Sequence, residues 1–221
     1  AALFPDAFQD TELGEIPDGW KAGNIDSLCT LNAKSWSAKN HPNFINYVDL
    51  ANTTNGEIKK TQRFNWGDSP SRARRVLKGG DTIVGTVRPG NRAFALAPMS
   101  GDLLTASTGF AVLSPKQLVL REFNYIALTS DTNIERLARL ADGGAYPAVK
   151  PDIVANLPFA MPTEATFKSF SGLSKPMFDL IEENSRQSTT LANLRDTLLP
   201  KLLSGEITVP EAESQIETAI D

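Results

Sequence analysis

The stretch from Thr163 to Glu206 constrains the fold of this chain more than any other part of its sequence. A heptad that starts at Phe170 places mostly apolar residues at its a and d positions, which we call the apolar seam. The seam consists of Phe170, Leu173, Met177, Leu180, Asn184, Gln187, Leu191, Leu194, Leu198 and Lys201. We predict one helix over residues 164–203, roughly 60 Å long at the α-helical rise. Because such a helix outreaches a small domain, its seam requires another long helix, and we predict a coiled-coil dimerisation helix.

Polar and helix-breaking residues interrupt this pattern at defined points. Asn184 and Gln187 occupy adjacent seam positions, where polar side chains cost stability but can fix register and orientation. The alternative is that both face solvent on a half-covered helix. Pro176 predicts a kink or a helix start, since proline lacks an N–H. Gly205 predicts the helix end, as a glycine after the last turn does.

The residues before this helix predict strands first and helices afterwards. Strand patterns cover residues 44–50, 82–87, 92–97 and 103–113, and helical spacing covers 120–140. Asn55-Gly56 predicts a tight hairpin turn, and Ser69-Pro70-Ser71 predicts the cap of a short helix carrying Arg72 and Arg75. We therefore predict an α+β fold, with a mixed-sheet domain over 1–162, the long helix over 163–205 and an acidic tail over 206–221.

Composition narrows the class of protein further. The chain has 221 residues, and its single cysteine, Cys29, excludes an internal disulfide. No long apolar run is present, so we expect a cytoplasmic protein without a membrane partner.

The charge distribution indicates a nucleic-acid partner although the net charge is −4. Nine basic and only two acidic residues lie between Lys59 and Arg92, which leaves +7 there and −11 elsewhere. A basic segment concentrated within an acidic protein is a candidate phosphate-facing surface. The alternative is a solvated face that pairs with acids from other segments.

Candidate DNA contacts come from this segment and from two loops. Arginine pairs with guanine and asparagine with adenine in the major groove, and exposed basic or aromatic loop residues suit base reading. Tyr146, which follows the Asp142-Gly143-Gly144 turn, can instead pack against Pro147. The candidate DNA-binding residues are Lys34, Lys39, Arg72, Arg74, Arg75, Lys78, Arg88, Asn91, Arg92 and Tyr146.

The sequence lacks the patterns that carry catalysis. His41 and Cys29 are its only histidine and cysteine, so a metal site of those ligands cannot be assembled within the chain. Phosphate-binding glycine loops and nucleophile motifs are also missing from the sequence. We predict no catalytic residue, no metal and no cofactor.

Four segments together resemble one family. They are LGEIPDGWKAGNIDSL, SRARRVLKGGDTIVGTVRPGNRAFAL, STGFAVLSP and LANLRDTLLPKLLSGEI, and the resemblance covers the chain from about residue 13 to residue 209. The chain resembles the DNA-specificity subunit of type I restriction–modification systems. The resemblance implies a target-recognition domain for double-stranded DNA, a spacer helix, and docking to adenine-N6 methyltransferase subunits, which bind S-adenosylmethionine, and to a restriction subunit. Family members usually contain two recognition domains and two long helices, whereas this sequence contains one of each. The chain is therefore either a half-sized subunit that pairs with a second copy or a fragment, and we favour an antiparallel homodimer through the long helix.

Two other functional classes stay open on the residues alone. One is an adaptor that uses its coiled coil, with the globular domain binding protein rather than DNA. The other is an enzyme such as a nuclease, which would need a cluster of metal-binding carboxylates.

Overall fold

The computed structural model describes residues 7–141 and 146–220. The chain divides into two compact units, residues 1–172 and residues 173–221. Helix α4, Glu164–Ser204, contributes its first residues to one unit and its remainder to the other. Within the described residues, no helix combines the length and the apolar character that crossing a membrane requires.

The first unit contains fourteen described strands and three described helices before α4. The strands are β1 Phe8–Thr11, β2 Gly14–Pro17, β3 Lys21–Asn24, β4 Cys29–Leu31, β5 Phe44–Val48, β6 Thr53–Thr54, β7 Glu57–Ile58, β8 Gln62–Asn65, β9 Ala73–Val76, β10 Thr82–Gly85, β11 Phe94–Leu96, β12 Leu104–Ser107, β13 Phe110–Pro115 and β14 Pro158–Met161. The helices are α1 Arg121–Thr129, α2 Asp131–Ala141 and α3 Pro151–Ala155.

Two four-stranded sheets organise this unit. The first has the order β11-β10-β13-β4 and is antiparallel. The second has the order β8-β5-β12-β9, in which β5 and β12 are parallel and the other pairs antiparallel. The remaining strands form three two-stranded pairs: β1-β2, β3-β14 and β6-β7. The fold is therefore the predicted α+β class with a mixed sheet.

The first sheet is buried on both faces, because its alternating side chains enter two different cores. Val84 packs with Leu128 and Leu137 of the helices. Its neighbour Ile83 packs with Val48 and the residues of the second sheet. Since side chains of a strand point alternately to opposite faces, the order is helices, first sheet, second sheet. On the other face of the second sheet, Ile45, Tyr47 and Ala73 form a smaller buried cluster under Trp36, Phe64 and Trp66. We call this the outward face.

Of two predictions made from local sequence signals, the hairpin turn is confirmed and the helix cap is wrong. Asn55 and Gly56 both have positive φ (46° and 93°) and connect β6 to β7, as the hairpin prediction requires. The short helix predicted after Ser69–Ser71 is wrong. Residues 73–76 are strand β9, which pairs with β12, because long-range pairing overrides local capping signals.

An aromatic cluster fixes the start of α4 in the first unit. Phe167 is buried among Leu28 and Leu120, and its ring meets that of Phe123 edge-on at 4.9 Å between centroids. Phe170 also contacts Phe123 edge-on, at 5.8 Å. Phe170, which was predicted for the dimerisation seam, is thus half-buried against its own domain.

The second unit contains the rest of α4 and helix α5, Val209–Ile220. The predicted bounds of α4 agree with the observed ones, and Gly205 (φ +76°) follows its last residue. Pro176 lies inside the helix and does not start it. The acidic segment after 206 contains α5, which the sequence pattern did not predict.

Exposure along the second part of α4 divides the seam. Leu198 is buried, as is Ala212 of α5, so this seam position is covered within the chain. Leu194 is half-buried, and the polar positions Asn184 and Gln187 are exposed. Four apolar seam residues stay exposed: Leu173, Met177, Leu180 and Leu191.

Candidate nucleic-acid interface

The predicted lysine loop lies against the edge of the second sheet. The Trp36 N–H donates to Arg74 O at 2.8 Å, and the Val76 N–H donates to Lys34 O at 3.0 Å. Arg75 donates from Nη1 to Ser35 Oγ at 3.3 Å. Lys34 and Lys39 are exposed. Tertiary pairing thus brings the Lys34–Lys39 loop beside Arg74 and Arg75, which lie about forty residues later in the sequence.

A stack of rings and a guanidinium covers part of the second sheet's outward face. His41 stacks on Trp66 with ring centroids 4.5 Å apart and an interplanar angle of 7°. The guanidinium of Arg74 lies 4.5 Å from the Trp66 ring and donates to Ala73 O at 2.8 Å. Arg63 similarly lies 3.8 Å from the ring of Phe44. Contact with an aromatic ring helps to hold each of these arginine side chains in place.

The turn between β10 and β11 carries two arginines in different states. Arg88 and Arg92 both have left-handed backbone conformations (φ 46° and 58°) around the Pro89–Asn91 turn. Arg92 makes an ion pair with Asp131 at 2.7 Å and donates to Asn55 Oδ1 at 3.0 Å. Within residues 7–141 and 146–220, the Arg88 side chain makes no hydrogen bond or ion pair. Arg88 and Asn91 are both exposed at this turn.

Lys78 lies apart from these residues, beyond the far end of β9. Its N–H donates to Asp81 Oδ2 at 2.8 Å, and its side chain is exposed. Asp81 is 2% exposed, and burial raises the pKa of its carboxyl, while the hydrogen bond from Lys78 acts in the opposite direction. One of the two acids in the basic segment is thus buried and adds little negative charge to the surface.

Arg72 and Tyr146, distant in sequence, line one cleft of about 490 Å³. The segment after Tyr146 runs beside the end of β10, since the Arg88 N–H donates to Pro147 O at 2.9 Å. Tyr146 is 66% exposed, so it is not packed away against its neighbours. The Asp142–Gly144 turn predicted before it lies outside the described residues.

Three residues of this region are missing from the predicted DNA-binding residues: His41, Arg63 and Asp49. The stacking of His41 on Trp66 depends on a tertiary contact that no local pattern encodes. Asp49 also lines the cleft, and its position directly after the apolar strand β5 was an available signal.

Two chemical features bear on the nuclease alternative: metal-binding clusters and the one cysteine. They contain no cluster of three or more histidine, cysteine or acidic side chains able to hold a metal ion. Cys29 donates to Ile25 O at 3.2 Å, and burial raises the pKa of its thiol to about 12. A thiol so buried is protonated at neutral pH and is a poor nucleophile.

The comparisons with known proteins identify a class. No family model matches the sequence. The chain is nevertheless similar in sequence to type I restriction enzyme specificity subunits, and its mixed sheets with a long C-terminal helix match the fold of such subunits.

Two sequence relatives carry this assignment. The specificity subunit of the type I restriction enzyme HindI from Haemophilus influenzae is 25% identical over 182 residues, which is 81% of this chain and 39% of that protein. The specificity subunit of MjaIX from Methanocaldococcus jannaschii is 35% identical over 69 residues, 31% of this chain and 16% of that protein.

Solved structures agree with the sequence relatives. One solved structure concerns the assembly and conformational transition of a type I restriction–modification system. A chain of that structure matches this chain with a TM-score of 0.62 and 26% sequence identity. It is matched over 88% of this chain and 51% of its own length. The HsdS subunit from Thermoanaerobacter tengcongensis has the same fold, with a TM-score of 0.62. The chain therefore spans about half the length of these solved structures and 39% of the HindI subunit.

Proposed function

We propose that this chain is the sequence-specific DNA-recognition component of a type I restriction–modification complex. The homology to specificity subunits over 81% of the chain carries this proposal. In that role the chain positions adenine-N6 methyltransferase subunits and a restriction subunit on a bipartite site in the cytoplasm. We expect it to catalyse no step itself, as its similarity to specificity subunits implies.

We assign the division of labour along the chain as follows. Residues 1–162 recognise DNA, residues 163–205 act as spacer and dimerisation helix, and 206–221 form an acidic tail. The exposed seam residues Leu173, Met177, Leu180 and Leu191 support a homodimer through α4, because a second copy of the helix would bury them. Each copy then reads one half-site.

The DNA-facing surface comprises the Lys34–Lys39 loop, the arginines of residues 72–75, the Arg88 turn and the cleft beside it. Phosphate contacts fix a protein on the duplex, while side chains that reach base edges carry specificity. Lys34, Lys39, Arg72 and Arg88 suit phosphate contact because their charged ends are exposed. We expect Arg92 to contribute less, since Asp131 already neutralises it.

A matched pair of variants at the β10–β11 turn tests this surface. Arg88→Asn and Arg92→Asn each remove one positive charge, and asparagine tolerates the left-handed conformation at both positions. The long-range attraction to DNA therefore falls equally, and only direct contacts differ. We expect Arg88→Asn to lower the slope of log affinity against log salt by about one unit, and Arg92→Asn to lower it less.

The measurement is duplex binding by the full chain between low and moderate salt, with urea denaturation to verify that both variants fold. Equal slopes for wild-type and Arg88→Asn would remove Arg88 from the interface. If the wild-type chain binds no duplex even at low salt, DNA recognition itself is wrong, and the protein-binding adaptor becomes the better description.

A further inference from the structure

The cleft beside Arg72 combines basic and acidic side chains in one concave site. Its volume is about 490 Å³. Its lining combines one carboxylate, one guanidinium, hydroxyl groups and an aromatic ring. The lining residues are Asp49, Leu50, Ala51, Arg72, Thr86, Val87, Ser107, Thr108, Gly109 and Tyr146.

Asp49 is held in place by the turn that follows β5. Its Oδ1 accepts from the Asn52 N–H at 2.8 Å and from Asn52 Nδ2 at 3.0 Å. Its carbonyl oxygen accepts from Thr53 Oγ1 at 2.8 Å. Among the described residues, no donor reaches its second carboxylate oxygen, Oδ2. One oxygen thus builds the turn, and the other remains a free acceptor.

Arg72 is fixed by its backbone and free at its side chain. Its carbonyl oxygen accepts from the Thr108 N–H at 2.8 Å, which ties it to the loop between β12 and β13. In the described part of the chain its guanidinium makes neither a hydrogen bond nor an ion pair, although Asp49 lines the same cleft. The cleft is therefore lined both by an anchored carboxylate acceptor and by a guanidinium whose backbone is anchored.

A carboxylate on a DNA-facing surface is repelled by phosphates and cannot bond to them, because it has no donor when ionised. The groups on DNA that can meet it are the amino groups of bases. In the major groove, a carboxylate accepts from cytosine N4, and arginine donates to guanine O6 and N7. One G·C pair therefore satisfies both side chains of the cleft at once.

We propose that this cleft reads a G·C base pair in the major groove, with Arg72 on the guanine and Asp49 on the cytosine. The inference rests on the proposed function, because it assigns specificity residues to the DNA-recognition surface. Tyr146 forms the exposed aromatic wall of the cleft beside the base pair that is read.

Two variants separate base reading from phosphate binding. Asp49→Asn keeps an oxygen for the Asn52 turn but replaces the free acceptor with a donor. Arg72→Lys keeps the charge but loses the two-pronged fork that matches guanine. Asp68→Asn is the matched control: it removes the same charge from an exposed acid that does not line the cleft.

The experiment selects duplexes from a randomised pool with the full wild-type chain, then measures affinities for every single-pair change in the selected site. We expect one G·C position whose replacement weakens wild-type binding by about five- to 100-fold. Asp49→Asn and Arg72→Lys should both lose most of that preference at this one position. Arg72→Lys should keep the wild-type salt slope, and Asp68→Asn should keep the wild-type site.

Each other outcome has a distinct meaning. If both cleft variants select the wild-type site with the wild-type preference at every position, the cleft does not read bases, although DNA recognition stands. If the altered position is an A·T pair, the G·C assignment is wrong. A wild-type chain that selects no site overturns the proposed function and the cleft proposal together. Urea midpoints of the variants verify that changes in preference do not come from unfolding.

Discussion

At the scale of single residues, burial determines which charged side chains contribute to the surface and which form contacts inside the fold. Asp81 is buried at the turn before β10, where it accepts from the Lys78 N–H. Burial penalises the charged carboxylate more than this hydrogen bond favours it, so its pKa is raised in the folded chain. The folded state therefore binds a proton at Asp81 more tightly than the unfolded state does.

This raised pKa predicts a pH-dependent cost in stability. The folding stability of the wild-type chain should fall as pH rises from the unfolded-state pKa of Asp81 through its folded-state pKa. Asp81→Asn keeps an acceptor for the Lys78 N–H but carries no charge. The free energy of unfolding of the variant, relative to that of wild type, should therefore increase from pH 4 to pH 7. Urea denaturation at both pH values measures this difference. A difference that is constant or shrinks over that range contradicts the assignment.

At the scale of elements, helix α4 changes its role along its length. Its first residues pack into the aromatic cluster around Phe123, which serves the globular domain. From Leu173 onward its apolar seam residues are mainly exposed, apart from Leu194 and Leu198 near the end. One continuous periodic pattern therefore contains both an intramolecular anchor and a candidate dimer interface.

The division within α4 predicts unequal effects of alanine substitution in the same helix. Phe167 is 7% exposed, so Phe167→Ala should lower the free energy of unfolding by about 3–5 kcal/mol. Leu173 is 69% exposed, so Leu173→Ala should change the free energy of unfolding of the monomer by about 0.5 kcal/mol or less. Urea denaturation at low protein concentration measures both. Similar losses for the two variants would show that Phe167 does not anchor α4 in the globular domain.

At the scale of the whole molecule, the half-length match to specificity subunits makes pairing between copies the central proposal. A dimer with two-fold symmetry through α4 reads two identical half-sites, since the symmetry of a binding site mirrors that of its protein. The unread spacer between the half-sites is then set by the helix.

Lengthening the helix tests this arrangement. Four residues inserted after Gln187 add roughly 6 Å to α4, and DNA rises about 3.4 Å per base pair. The spacer should grow by one or two base pairs while both half-sites stay unchanged, as read by selection from a randomised duplex pool. An insertion of the same four residues after Ser204, beyond the helix seam, serves as the control. If the lengthened chain dimerises but selects the original spacing, the helix does not set it. A wild-type chain that is monomeric at micromolar concentration, with methyltransferase present, overturns the dimer.

The sequence by itself determined the elements whose signals are local. Helical periodicity and Gly205 defined α4 almost to the residue, and Asn55-Gly56 defined a hairpin turn, because these features depend on neighbours a few positions away. The exclusion of a metal site built from histidine and cysteine within the chain likewise follows from composition alone.

Only the tertiary structure decided which of the predicted surface residues meet. Residues 73–76 form a strand because β12 pairs with them, although their local signals favour a helix. Arg72 and Tyr146 share a cleft with Asp49, and Arg92 is neutralised by Asp131, through contacts between segments far apart in sequence. Hydrophobic periodicity specifies which face of each element is buried, but it does not specify which distant element covers that face. Packing therefore determines which charged side chains remain exposed.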